Sequence, residues 1–110
     1  MARFGRASVV LVSFPFSDLS DSKFRPALVL AETDRNDMIL CQITSNAGID
    51  SKAVEIGDSD FDFGSLQKTS FARPNKIFTG HESLIAKRVG KLSSQKTLEI
   101  VEALIEILRN

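Results

Sequence analysis

Apolar residues fall in short blocks through most of this chain and then at helical spacing near its end. Val9-Val-Leu-Val-Ser-Phe14 is apolar and β-branched and stops at Pro15, which has no N–H for a ladder, so it predicts a first strand. Arg25-Pro-Ala-Leu-Val-Leu-Ala31 predicts a second, with Pro26 tolerated because it stands at the beginning. Asp34-Arg-Asn-Asp37 is a turn cluster, and Met38-Ile-Leu-Cys-Gln-Ile-Thr44 predicts a third strand. The short connection makes these two an antiparallel hairpin. Ser45-Asn-Ala-Gly48 punctuates again, and Ala53-Val-Glu-Ile56 alternates as a short half-buried strand does.

Residues 61–66 carry apolar side chains two or three apart around Gly64 and read as a loop with apolar anchors. Strand character resumes at 70–79, where Pro74 marks an edge or a bulge, and again at 84–90. The period then changes. Leu98, Val101, Leu104, Ile105 and Leu108 recur at three- and four-residue spacing with Glu99, Glu102 and Glu106 on the other side, which predicts an amphipathic helix. Ser93 or Ser94 can cap it, without the acidic partner of a capping box. Ile100, Ala103 and Ile107 widen the apolar surface, for burial in the core or a subunit contact. Short strands followed by one helix predict a mainly β fold, a small bent antiparallel sheet or barrel with a C-terminal α-helix against it. No repeat or linker divides residues 1–110, so one domain is expected.

Composition narrows the chemistry. Hydrophobic residues are 43% and charged residues 25% of the chain, as in ordinary soluble globular domains. No apolar run reaches the roughly 20 residues that span a bilayer. The basic start and the short apolar stretch broken at Pro15 make a poor signal peptide, so a cytoplasmic protein is expected. Cys41 is the only cysteine and His81 the only histidine, which leaves no internal disulfide and no ligand set for zinc or for a nucleophilic triad. No metal or cofactor is expected; Cys41 reads as a buried thiol and His81 as a solvated turn residue. The net charge is zero but unevenly spread: residues 50–66 carry a net of −4 and residues 67–91 a net of +5. A neutral chain can therefore present one basic face to phosphates, or two solvated faces of opposite sign.

The remaining chemistry centres on Arg25, at the mouth of the second strand beside the Ser/Asp/Lys-rich loop 17–24, an arrangement suited to an anion. The hairpin sets Thr44, at the end of the third strand, at the same rim. A guanidinium binds phosphate oxygens bidentately and a threonine hydroxyl can add a hydrogen bond. The structural alternatives are a surface salt bridge for Arg25 and plain β-propensity for Thr44.

Three segments in order, Val9-Val-Leu-Val-x-Phe-Pro-Phe-Ser-Asp18, Arg25-Pro-Ala-Leu-Val-Leu30 and Ile39-Leu-Cys-Gln-Ile-Thr-Ser45, resemble successive signatures of the PemK/MazF toxin endoribonucleases. Segments 70–79 and 85–92 and the terminal helix extend the likeness over nearly the whole chain. The resemblance implies an SH3-like barrel, a homodimer, and metal-independent cleavage of single-stranded RNA to a 2′,3′-cyclic phosphate and a 5′-hydroxyl. It also implies a cognate antitoxin whose flexible acidic segment blocks the RNA groove. The family's catalytic arginine and threonine match Arg25 and Thr44. Lys23, Ser45 and Asn46 are expected RNA contacts by proximity, Arg73 and Lys76 by charge, and loop 17–24 a lid. Many members begin the first strand with Gly-Asp, where this chain has Ala7-Ser8. From other classes, the same fold would suit a non-enzymatic toxin resembling the gyrase-poisoning CcdB, or a silent partner-binding module.

Overall fold

In the computed structural model, which describes residues 4–15, 22–46, 48 and 50–110, seven antiparallel strands build one sheet. They are β1 (Ser8–Pro15), β2 (Ser22–Glu32), β3 (Asp37–Thr44), β4 (Val54–Ile56), β5 (Phe61–Gly64), β6 (Ser70–His81) and β7 (Ile85–Leu92). Their spatial order is β4-β6-β3-β2-β1-β7-β5, and helix α1 (Ser94–Arg109) follows β7. The sheet curls into a half-barrel with α1 against β6 and β4. This is the mainly β architecture with a C-terminal helix that the sequence pattern predicts.

Both faces of the central strands are buried. Val9, Leu28, Leu30, Cys41, Ile43, Ile56, Ala72 and Leu92 gather with Ile100 of α1. The alternate positions Val10, Val12, Ala27, Val29, Met38 and Leu40 form a second cluster with Phe4 and Ile85. Two buried faces remove the need for polar alternation, which is why β1 reads as a continuous apolar block. Helix α1 docks through Ile100, fully buried and worth about 2–3 kcal/mol for its side chain alone. Ser93 caps the helix: its Oγ accepts from the Lys96 amide at 3.1 Å. Leu98 and Leu108 stay exposed on α1. Among the described residues no helix is long and apolar enough to cross a membrane.

Local chemistry sets the connections. Arg35 and Asn36 both take positive φ, 58° and 67°, as the central pair of a type I′ hairpin turn requires. The Asp37 amide donates to the Asp34 carbonyl at 3.0 Å and closes the turn between β2 and β3. Ala7 also lies in the left-handed region at φ 78°, and its carbonyl accepts from the Leu92 amide at 2.9 Å. Pro74 does sit in a bulge. Cys41 pairs with Ile77 and Ile43 with Ala72, so residues 73–76 of β6 bow out opposite Gln42.

Two segments depart from the sequence expectation. Residues 61–64, expected as loop, form edge strand β5 against β7. Gly64 makes that possible, because its φ of 79° lets the chain pass where a Cβ would lie 2.1 Å from the Val89 carbonyl oxygen. Strand β2 begins three residues earlier than expected, since Ser22, Lys23 and Phe24 pair with Pro15, Phe14 and Ser13 of β1. Arg25 is therefore inside a strand rather than at its mouth. The rest of the expected lid, residues 17–21, lies outside the described residues.

Candidate functional site

The register of one hairpin places the two candidate catalytic residues. From the turn, Glu32 pairs with Met38 and Ala31 with Ile39; a bulge at Leu30 then shifts the pairing to Val29 with Leu40, Leu28 with Cys41 and Ala27 with Gln42. Continued past the end of that ladder, the shifted register sets Arg25 opposite Thr44. Without the extra residue at Leu30, Arg25 would face Ser45 instead. Both residues alternate onto the face that carries Ala27 and Val29. Pro26 falls beyond the last paired residue, where its missing N–H costs the β2–β3 ladder nothing.

Past that point a cleft of ≈ 400 Å³ opens at the rim. Lys23, Phe24, Arg25 and Pro26 line it from β2, and Ile43, Thr44 and Ser45 from β3 and its end. Leu11 of β1 borders it, Leu66 and Lys68 close it from the connection between β5 and β6, and Ser70 from the start of β6. Lys23, Arg25 and Lys68 are exposed, and among the described residues the lining holds these three cations and no carboxylate. Cations gathered in a concave, partly apolar site focus a field that attracts an anion.

Thr44 is held in a way that suits a donor. Its Oγ1 accepts from the Asn46 amide at 3.1 Å, which fixes the hydroxyl oxygen and leaves its proton for another acceptor. Asn46 continues the series, its Oδ1 accepting from the Gly48 amide at 3.2 Å. The same connection is anchored at Asp50, whose Oδ1 accepts from the Lys52 amide at 2.8 Å and whose Oδ2 accepts from Arg73 Nε at 3.2 Å. The Lys52 amide first, and then Arg73, hold the Asp50 carboxyl below the usual carboxylate range.

The structure thus brings Lys23, Arg25, Thr44 and Ser45 to one cleft and leaves Asn46 beside it. Arg73 and Lys76 lie in the β6 bulge, outside the lining. Arg73 is turned to Asp50, with only 16% of its side chain exposed against 5% for Asp50. Lys68, Ser70 and Phe24 line the cleft without having been singled out from the sequence. Lys68 carried one signal, as the first cation of the basic segment 67–91. Its approach to β2 and β3 is a tertiary contact that no local pattern records.

The lone cysteine and histidine stand apart from this cleft. Cys41 is fully buried, its thiol donating to the Arg73 carbonyl at 3.2 Å, and burial pushes its pKa up to about 12. His81 caps the turn after β6, its Nδ1 accepting from the Ser83 amide at 3.1 Å. Among the described residues no group of three or more His, Cys, Asp or Glu is placed to hold a metal ion.

Residues 5–108 match the sequence profile of the PemK-like, MazF-like toxins of type II toxin–antitoxin systems. The chain belongs to that family. No protein of curated function matches it. Among solved structures, it is similar to an endoribonuclease in complex with its cognate antitoxin from a mycobacterial species, at 17% identity and a TM-score of 0.74, covering 98% of this chain and 95% of that one. MazF of Deinococcus radiodurans superposes at 19% identity and a TM-score of 0.74, covering 96% of each chain. The Mycobacterium tuberculosis toxin MazF-mt6 does so at 17% identity and a TM-score of 0.71, over 93% of this chain and 96% of that one. At such identities these likenesses establish the MazF-like fold of this PemK/MazF family member.

Proposed function

We propose that this PemK/MazF family toxin is a metal-independent endoribonuclease that cuts single-stranded RNA in the cleft at the β2–β3 rim. The observation that carries the reading is that Arg25 and Thr44 line one cleft together with Lys23 and Lys68. RNA supplies its own nucleophile, the 2′-hydroxyl, so the protein needs to place the phosphodiester in line and stabilise charge on its nonbridging oxygens. The Arg25 guanidinium suits those oxygens, and the Thr44 hydroxyl, fixed through Asn46, donates a further hydrogen bond. Attack by O2′ breaks the bond to O5′ and leaves a 2′,3′-cyclic phosphate and a 5′-hydroxyl. A guanidinium, with a pKa above about 12, serves here as a fixed charge and not as the base.

Lys23 and Ser45 line the same cleft and Asn46 adjoins it, which supports them as RNA contacts. A cognate antitoxin with a flexible acidic segment fits the same cations and would compete with RNA; solved neighbours of this fold include toxins held with their antitoxins. A homodimer follows from the family resemblance. The test is incubation of purified protein with single-stranded RNA in EDTA and analysis of the product ends. Fragments ending in 2′,3′-cyclic phosphate support the reading, whereas intact RNA, or cutting only when a divalent metal is added, overturns it.

A further inference from the structure

The cleft holds more than a phosphate site requires. A phosphate needs cations and hydrogen-bond donors, yet this cleft also has an apolar floor of Leu11, Pro26, Ile43 and Leu66. Beside it, Phe24 is 58% exposed although it lies within a paired strand. More than half of this residue's surface is left to solvent, which keeps an apolar aromatic face open at the cleft. Its neighbours along β2 are Lys23 and Arg25. Successive strand residues rise about 3.4 Å, and at the rim Phe24 and Arg25 both line the cleft, together with Leu11, Pro26 and Thr44.

We propose that Phe24 is the stacking platform for a nucleobase of the RNA whose phosphate Arg25 holds, an assignment that rests on the reading of the cleft as an RNA site. A ring and a guanidinium at adjacent positions match the two halves of one nucleotide, a flat apolar base and a charged phosphate. The partly apolar cleft lets the base unstack from its neighbours without returning to water, which is how single-stranded RNA is usually gripped. Stacking accepts every base, so Phe24 contributes affinity and placement of the scissile phosphate rather than the choice of sequence.

The chain contains no tryptophan and no tyrosine, so Phe24→Trp introduces a sole indole whose fluorescence a stacked base quenches. Four 2′-O-methyl octanucleotides, one per base, serve as uncleavable probes, and inorganic polyphosphate serves as the charge-only control. The expected result is quenching by the octanucleotides and none by polyphosphate. In the otherwise native chain, Phe24→Leu should weaken octanucleotide binding roughly 5- to 100-fold, with an unchanged thermal midpoint. Quenching by polyphosphate to the same extent, or Phe24→Leu binding octanucleotides as tightly as the parent, overturns the assignment. So does quenching confined to an acidic peptide, which would mark a protein-binding surface. Binding is read apart from cleavage, so the two proposals can fail separately. Quenching by the octanucleotides but not by polyphosphate, without any RNA cutting, keeps the stacking site and removes the nuclease. RNA cutting with unchanged Phe24→Leu affinity does the reverse.

Discussion

Breaking the Asp50–Arg73 pair should loosen the connection that follows Thr44. The pair joins the 45–53 segment to the β6 bulge at 3.2 Å, with side chains 5% and 16% exposed. Asp50→Asn keeps an acceptor for the Lys52 amide but loses the charge-assisted bond to Arg73, a loss of about 2 kcal/mol. Asp50→Ala also strands a mostly covered guanidinium, and the cost rises to about 3 kcal/mol, the lower end for a broken buried pair because Arg73 keeps some access to water. At about 2.1 cal/mol/K per residue, 110 residues give an unfolding entropy near 0.23 kcal/mol/K, so the midpoints should fall by about 9 and 13 °C.

The pH dependence fixes the sign. The Asp50 pKa is lowered in the folded state, so its stabilisation is present above the unfolded value of about 3.9 and fades as pH falls through the lower folded one. Thermal melts from pH 7 to pH 2.5 should show the gap between parent and Asp50→Asn closing below about pH 4. Arg73→Met should lower the midpoint comparably, and the double variant should lose less than the sum. An Asp50→Asn chain as stable as the parent at pH 7 refutes the reasoning. Arg73→Met that melts normally but binds RNA poorly would return Arg73 to the role of an RNA contact.

Three further outcomes follow from single residues. Cys41 should resist thiol reagents in the native state; because its folded pKa is raised to about 12, stability should fall above about pH 9 by up to about 1.4 kcal/mol per pH unit, a fall that Cys41→Ala abolishes in alkaline urea titrations. Gly64→Ala should detach β5, since the new Cβ meets the Val89 carbonyl and the Gly90 backbone; faster amide exchange in β5 with α1 still protected is the expected pattern, and unchanged exchange would contradict it. Thr44→Val should slow RNA cleavage about 10- to 100-fold while Thr44→Ser stays within a few fold, the single-turnover rate being the readout and equal rates the contrary result.

The parts of this molecule that sequence pattern reveals are those that local physics dictates. Helix α1 announces itself by apolar spacing and its Ser93 cap, and Pro74 forces the β6 bulge wherever the strand is read. Strand β5 was hidden because Gly64 breaks the pattern for the same reason that lets the chain pass close to β7. The start of β2 was hidden because Ser22 and Lys23 look like loop residues and are held in the sheet by pairing with β1. At the site, the hairpin made Arg25 and Thr44 neighbours on paper, but their register depends on a bulge at Leu30 that no residue there signals. Lys68 and the Asp50–Arg73 pair join segments distant in sequence, and only the curl of the sheet brings them together.

The proposed role of Arg25 is to stabilise the cleavage transition state. Its most direct test compares the parent chain with Arg25→Ala on single-stranded RNA in EDTA, alongside a thermal melt of each. Arg25 is exposed, so the melt should not move, while the single-turnover rate should fall at least about 100-fold, as when one preorganised charge-stabilising donor is removed. An Arg25→Ala chain that melts like the parent and still cuts RNA at the parent rate would contradict the account.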